Sequence, residues 1–233
     1  MKLLVLIMAH NDSVALNYIQ VVKETWGNIK NDNIKIYNFF GGSDKNKIVG
    51  DTIFVTSPDL GGGHVGYQKL IDTFDVAYNN LEFDLVLKTT LNMYFRLDLA
   101  YKVLSKYELK DFYGSTNDHS LDRNCFSGCS MLLSRDVIKK ILDIKHINPP
   151  DTRWDDVGFE YLLKLIYPDY ISNYKNFKRL DLMEDSLLRL WDPLFKIKYD
   201  DLWAFRCKTE RNGITNRNLD LEKMKILHKI FNS

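Results

Sequence analysis

The first half of the chain alternates short, unbroken apolar or β-branched runs with longer segments whose apolar positions recur every three to four residues. Residues 3–9, Ile34 to Phe40, Thr52 to Thr56 and Asp84 to Lys88 read as strands. Runs without polar alternation are what a sheet covered on both faces requires. Between them, residues 13–26 read as a helix, and Tyr67, Leu70, Ile71, Phe74, Tyr78 and Leu81 form an i, i+3, i+4 stripe that predicts a second. Strands alternating with helices predict an α/β layered fold with a largely parallel sheet. Ligands of such sheets bind beyond the carboxyl ends of the strands. That directs attention to His10-Asn11-Asp12, to Gly41-Gly42-Ser43 and to the residues after Lys88.

The second half is less regular. Asp111 to Ser115 and Cys129 to Leu133 read as short strands, and Ser134 is a good N-cap for a helix reaching about Asp143. Asn148-Pro149-Pro150 breaks the chain before a helical pattern at 156–166. A last helix, 218–231, carries Leu221, Met224, Leu227 and Phe231 on one side. Residues 116–126 and 167–185 read as loops. Neither an internal repeat nor a low-complexity linker divides the chain, so 1–233 is expected to be one domain.

Composition narrows the class of protein. With 45% hydrophobic residues in a chain of 233, there is ample material for a core and intrinsic disorder is excluded. Lys and Arg total 32 against 31 Asp and Glu, a net charge of +1 that supplies no long-range field for nucleic acid. Cys125, Cys129 and Cys207 are odd in number and contain no C-x-x-C pair, which argues against a disulfide scaffold or a four-cysteine zinc site. The apolar start, Met1 to Ala9, is short and runs into His10-Asn11-Asp12 without a small-residue cleavage site, so it reads as a buried strand. No apolar run approaches the ~20 residues of a membrane helix. The expectation is a soluble, cytoplasmic protein without a transmembrane segment.

The residues able to carry chemistry are few. Gly61-Gly62-Gly63-His64 precedes the second helix, where backbone N–H groups can cradle a phosphate. It lacks both the Lys-Ser/Thr of a P-loop and the spaced glycines of a dinucleotide fingerprint, so a plain loop and a ligand loop both stay open. The other histidines, His10, His119, His146 and His228, show no zinc-ligand spacing. Asp155 and Asp156 follow Trp154 where a helix should begin. Carboxylates there suit the helix macrodipole, and one of them is equally placed to act as a base.

Four segments, taken together, resemble one family. Phe83 to Phe95, which contains Lys88-Thr89-Thr90, is similar to the strand "D-F-x-x-K-T-D-D-D-x-F" of the beta-1,3-galactosyltransferase and fringe-like glycosyltransferases. Lys23-Glu24-Thr25-Trp26-Gly27 resembles their "R-x-T-W-G", and the segment Cys125 to Asp136 resembles "C-S-G-G-G-Y-x-L-S-R-D". Trp154-Asp155-Asp156-Val157-Gly158 resembles the acidic "E-D-V". The matches fall in the family's order over residues 15–165. The resemblance implies a GT-A fold, with a Rossmann-like nucleotide-sugar-binding half at about 1–100. An acceptor-binding half with the C-terminal helix would occupy about 101–233. It also implies transfer, with inversion, of a sugar from a nucleoside-diphosphate sugar, UDP by the family's default, to a hydroxyl of a glycan or related molecule. On this reading Asp156, aligned with the Asp of "E-D-V", is the general base, and Asp155 is the alternative. His10, Asn11, Lys69, Lys88, Thr90, Asn92, Arg206 and Lys208 are the candidate donor-binding residues. Ser127, Gly128, Cys129 and Trp154 are the candidates on the acceptor side. The Ser127-Gly128-Cys129 turn would let backbone approach a sugar closely, although a turn entering a strand explains it as well.

One departure matters. Where the family has its aspartate triplet, this chain has Thr90, Leu91 and Asn92. A Mn²⁺ or Mg²⁺ ion bridging a diphosphate wants carboxylate oxygens, and Asn92 is left as the one candidate ligand there. The family's C-terminal metal-binding histidine is also missing near Leu202 to Lys208. Three explanations stay open. Arg206, Lys208 and Arg211, with Lys88 behind them, could meet the diphosphate charge directly, or could be a solvated basic edge. Asp84, Asp98 or other carboxylates could supply a displaced metal site. Catalysis could have been lost, leaving a module that binds a nucleotide sugar or glycan. A nucleotidyltransferase is set aside because no G-x-G-T-R-like start follows the first strand.

Overall fold

The structure, a computed structural model, describes residues 1–59, 64–118, 126–150, 155–183, 187–211 and 214–232. The glycine run 61–63, Cys125 and Trp154 lie outside the described residues.

The N-terminal half follows the predicted alternation: β1 (Leu3–Met8), α1 (Ser13–Glu24), β2 (Ile34–Phe40), β3 (Lys47–Val49), β4 (Thr52–Phe54), α2 (His64–Asn80) and β5 (Leu85–Thr90). α1 starts at Asp12, whose side chain accepts the Ala15 N–H at 2.7 Å and so satisfies one of the helix's orphan donors. Then come β6 (Met93–Phe95), α3 (Leu97–Leu104), β7 (Tyr113–Asp118), β8 (Ser130–Ser134), α4 (Arg135–Asp143), α5 (Asp155–Ile166), α6 (Tyr170–Asn173) and β9 (Lys175–Asp181). A 3-10 turn at Leu188–Trp191 leads to α7 (Phe195–Lys198), β10 (Ala204–Arg206), the small pair β11 (Glu210–Arg211) and β12 (Ile214–Thr215), and α8 (Arg217–Asn232).

Ten strands form one sheet in the order β3-β4-β2-β1-β5-β8-β7-β9-β10-β6. β1 pairs in parallel with β2 and β5, whereas β8 runs antiparallel to β5 and β7. β7, β9 and β10 are mutually parallel, and β6 closes the far edge antiparallel to β10. The unbroken apolar strands are explained by the layers. Leu3, Val5 and Ile7 of β1 point into one core and Leu4 and Leu6 into the other, so both faces of the strand are covered. One core takes Tyr18, Val21 and Val22 from α1 and Met224 and Leu227 from α8. The other takes Leu70, Ile71 and Phe74 from α2, Val137 and Ile141 from α4, and Phe159 and Leu162 from α5.

Two expectations need correction, and a third, the N-cap Ser134, holds with one refinement. Residues 167–185 are not only loop: they hold α6 and β9, and β9 lies between β7 and β10. Its sequence, Lys-Asn-Phe-Lys-Arg-Leu-Asp, hid the strand because Arg179 is buried by pairing with Asp181 rather than exposed. Likewise β7 carries the chain to Asp118, into the stretch read as a loop from 116. Ser134 stands at the N-cap of α4, but its side chain makes no cap bond. Its hydroxyl instead donates to Asp136 Oδ1 at 2.5 Å and accepts the Phe112 N–H at 3.1 Å, tying the helix start to the strand before β7.

Candidate active site

The strand registers bring the chemically able residues to one rim. β1 and β5 are parallel and in step, Met8 opposite Thr90, so His10-Asn11 and Asn92 follow neighbouring strand ends. Ser130 at the start of antiparallel β8 pairs with Thr89, which puts Gly128 and Cys129 beside the same end of β5. β7, β9 and β10 point the same way, so Asp118, Asp181 and Arg206 finish there too, and Met93 of β6 pairs with Arg206. This is the carboxyl-end rim at which sheets of this kind bind ligands.

At its centre lies Lys88, fully buried, whose ammonium is ion-paired with Asp155 and donates to the Gly128 carbonyl at 2.8 Å. The Gly128 N–H in turn donates to Asp156 Oδ2 at 2.9 Å. A Cβ at position 128 would stand 2.8 Å from Asp155 Oδ1 and 3.2 Å from Asp156 Oδ2, so any larger residue would push these carboxylates out of place. The close approach anticipated for this turn is thus made by the protein's own carboxylates. Thr89 Oγ1 holds the next residue through the Cys129 carbonyl at 2.9 Å. Burial pushes the Asp156 carboxyl above the ordinary aspartate range, and the neighbouring charge of Asp155 adds to this. The Gly128 and Val157 N–H groups and the Lys88 charge pull the other way without cancelling it. A half-buried carboxylate of raised basicity, fixed by backbone, can take a proton from a bound hydroxyl.

Beside it is a guanidinium cluster. Arg179, buried on β9, is paired with Asp181 and donates to the Thr116 carbonyl at 2.8 Å and to Ser127 Oγ at 3.1 Å. Ser127 is held further by its own N–H, which donates to Ser115 Oγ at 3.1 Å. Arg206 approaches Asp181 at 3.6 Å, and its Nε is buried with no hydrogen-bond partner among the described residues. A buried guanidinium N–H without an acceptor is uncommon and marks a place where an anionic ligand would be held. Sequence reasoning reached Arg206 but not Arg179 or Asp181. Their strand was unrecognised, and nothing local distinguishes a buried arginine from a solvated one.

A second knot closes the other side of the rim. Lys69, buried on α2, donates to the Ala9 carbonyl at 2.8 Å and to Asp59 Oδ1 at 2.9 Å. Asp59 also accepts the Asn11 N–H at 2.6 Å and the Gly41 N–H at 2.8 Å, while His10 Nδ1 donates to its carbonyl at 2.9 Å. Burial works to raise the Asp59 carboxyl, but these donors outweigh it and hold it below the usual range. Burial lowers the Lys69 ammonium, and the charge of nearby Lys88 contributes. Asp59 was missed from sequence; the signal was an acidic residue after Ser57-Pro58 and just ahead of the glycine run.

A divalent metal finds no fit among the described residues. No group of three or more His, Cys, Asp or Glu side chains converges there, and Thr90 Oγ1 donates to Asn92 Oδ1 at 2.8 Å, so those two neutral oxygens serve each other. The Asn92 carbonyl is used too, accepting the Cys207 N–H at 2.8 Å. Asp84 sits before β5, at the end opposite Thr90, and accepts the Lys2 N–H at 2.6 Å; Asp98 is exposed on α3. Neither joins the rim, so neither of these two carboxylates supplies a displaced metal site there. Lys208 lies two residues past Arg206, beyond the end of β10. The Lys23-to-Gly27 element is placed elsewhere, at the C-terminal end of α1: Thr25 Oγ1 donates to the Val21 carbonyl at 2.6 Å and Trp26 meets Phe95 edge-on. Cys129 and Cys207 are thiols. No helix among the described residues is long and apolar enough to cross a membrane.

Solved glycosyltransferase structures resemble this one. A glycosyltransferase involved in the glycosylation of the major capsid of PBCV-1 superposes with a TM-score of 0.57 at 12% identity, covering 97% of this chain and 100% of that one. The apo-form glycosyltransferase GlyE of Streptococcus pneumoniae TIGR4 superposes with a TM-score of 0.51 at 14% identity, and this chain, covered in full, spans 64% of GlyE. No family model matches the sequence, and no curated protein matches it. At these identities the shared property is architecture: the chain has the α/β, GT-A-type fold of these glycosyltransferases, a Rossmann-like sheet flanked by helices.

Proposed function

We propose that the protein is a glycosyltransferase of the fringe-like, inverting kind, moving a sugar from a nucleoside-diphosphate sugar, UDP-linked by the family's default, to a hydroxyl of a glycan or related acceptor. The observation that carries this reading is the Asp156 carboxylate, half-buried at the ligand rim, fixed by the Gly128 N–H and raised in basicity by burial. In the step, the acceptor oxygen forms its bond to the anomeric carbon as the bond to the diphosphate oxygen breaks. The acceptor's proton goes to Asp156, and the electron pair leaves with the diphosphate. Asp155, neutralised by Lys88, shapes the pocket rather than taking the proton. Arg206, whose side chain is partly exposed at the rim, would meet the departing charge, and Lys208 would reinforce it; fixed cations stabilise a leaving anion without a metal. His10 and Asn11, held by Asp59, border the nucleoside side, and the Ser127-Gly128-Cys129 turn borders the acceptor. The two thiols fit a reducing, cytoplasmic setting.

The test is calorimetry and turnover with a panel of nucleotide sugars, each with Mn²⁺ and with EDTA. We expect binding and transfer or donor hydrolysis that persist in EDTA. Turnover that vanishes in EDTA would overturn the cation-assisted mechanism. Binding without turnover across all donors and acceptors would reduce the protein to a binding module, a reading that the loss of the aspartate triplet favours. No binding at all would end the proposal.

A further inference from the structure

The segment following β9 is apolar on both of its sides. Leu190, Phe195 and Tyr199 face inward and are no more than 5% exposed, and the Phe195 ring packs against Phe205 and Phe231. Leu188, Trp191, Leu194 and Ile197 face outward and are between 62% and 81% exposed. Leu188 and Trp191 bound the 3-10 turn and so share one side of it, while Leu194 and Ile197 follow at the start of and within α7, beyond the extended Asp192. Single exposed apolar residues are ordinary on a soluble surface, but a row of four large ones marks a docking face.

The size and chemistry of the row say what it docks against. Four such side chains offer on the order of 500 Å², short of the ~800 Å² per partner that a stable protein interface covers. They are enough for shallow insertion into the headgroup layer of a bilayer. A tryptophan between leucines and an isoleucine suits that layer, because its ring is apolar and its N–H is not. Exposed Lys196 and Lys198 flank Ile197. On its inward side the segment packs through Phe195 on Phe231, which lines a cleft of about 580 Å³ whose lining also includes Lys30, Arg96 and Lys102 against a single carboxylate, Asp98. Arg96 links the two, donating to the Asp200 carbonyl at 2.5 Å while its guanidinium stacks over Phe231 at 4.4 Å. Asp192 and Asp201 offset part of this charge, and Asp200 is spent on Arg96. The apolar row therefore carries the binding, and Lys196 and Lys198 beside Ile197 favour anionic lipid.

We propose that this row docks the protein on the surface of a bilayer containing anionic phospholipid, with Leu188, Trp191, Leu194 and Ile197 in the headgroup layer. The proposal does not depend on the glycosyltransferase reading. It is tested by co-sedimenting the full chain with vesicles of phosphatidylcholine, alone or mixed with phosphatidylglycerol. The wild-type protein is expected to sediment with both and more strongly with the mixture. Combining Trp191→Ser with Ile197→Ser should lower the bound fraction about tenfold or more. Thermal melting, and turnover of a water-soluble acceptor where turnover is found, should stay unchanged. Trp191→Phe should keep binding and lose the tryptophan quenching that brominated lipid causes in wild type. Wild-type protein that stays in the supernatant with both vesicles would overturn the proposal, as would a double variant that binds undiminished. A dimer seen by light scattering, abolished by the double variant and unaccompanied by vesicle binding, would assign the row to a second copy of the chain instead.

Discussion

Two buried lysines sit on the same rim, and their surroundings differ in one respect. Lys69 and Asp59 form a finished knot: the carboxylate accepts from an ammonium and two backbone N–H groups, and its acidity is raised despite burial. Lys88 faces two carboxylates, pairs with Asp155 and leaves Asp156 with backbone donors alone. The Asp156 carboxyl is accordingly held above its ordinary range. The same residue types thus make a scaffold in one place and a proton acceptor in the other. Two things separate them: Asp156 is the more deeply buried, and only Asp59 has an ammonium hydrogen-bonded to its carboxylate.

The largest expected effect comes from breaking that contrast at Asp156. Asp156→Asn keeps an oxygen for the Gly128 N–H but cannot take a proton, so turnover should fall by ~10² or more with no loss of Tm. Steady-state kinetics beside calorimetric donor binding would show it, and unchanged turnover would remove Asp156 from the chemistry. The knot should respond in the opposite way. Lys69→Met leaves the buried Asp59 charge without its cation, which costs about 3–5 kcal/mol and lowers Tm by roughly 10 °C. Tm loss there with none in Asp156→Asn is the signature of scaffold against chemistry. A smaller effect is expected at Arg206. Arg206→Ala should raise the donor KM about tenfold, the worth of a hydrogen bond to a charged group, with little change in Tm.

Much of this arrangement was legible in the sequence, and the part that was not has a physical reason. β1, β2 and β5 announce themselves because a strand covered on both faces has no polar alternation, and their carboxyl ends then locate the rim. The Asp155-Asp156 pair stood out by its place at the start of a helix. Asp59, Arg179 and Asp181 did not, because a buried ion pair is written in the same letters as a solvated one. Only the pairing of β9 between β7 and β10 brings Arg179 against Ser127. Gly128 was read as a turn open to a ligand. Its reason for being glycine, the carboxylate 2.8 Å from where a Cβ would stand, depends on a contact with α5 across 27 residues of chain that no local pattern shows.

The subtlest expected effect is on the pH dependence of stability, where the two carboxylates should act with opposite signs. Asp156 has a raised folded-state pKa. The stability it contributes is therefore fully present below the ordinary aspartate pKa and is lost as pH rises through its own. Asp59 has a depressed one, so its contribution is present above the ordinary aspartate pKa and is lost as pH falls through its own. At neutral pH, Asp156→Asn should melt slightly above wild type, and the gap should close on acidification below about pH 4, where the carboxyl is protonated in both folded and unfolded chains. Asp59→Asn should melt below wild type at neutral pH, with its deficit shrinking as acid protonates the native carboxyl. The acid limb of kcat/KM should follow the raised Asp156 carboxyl and lie above the ordinary aspartate range, because the base must be ionised to work. Calorimetric melts of the three proteins across the acid range decide this. An Asp156→Asn variant that instead melts below wild type at neutral pH, with a deficit that shrinks on acidification, would mean that the carboxylate is stabilised where it sits, and that it belongs with Asp59 as part of the scaffold.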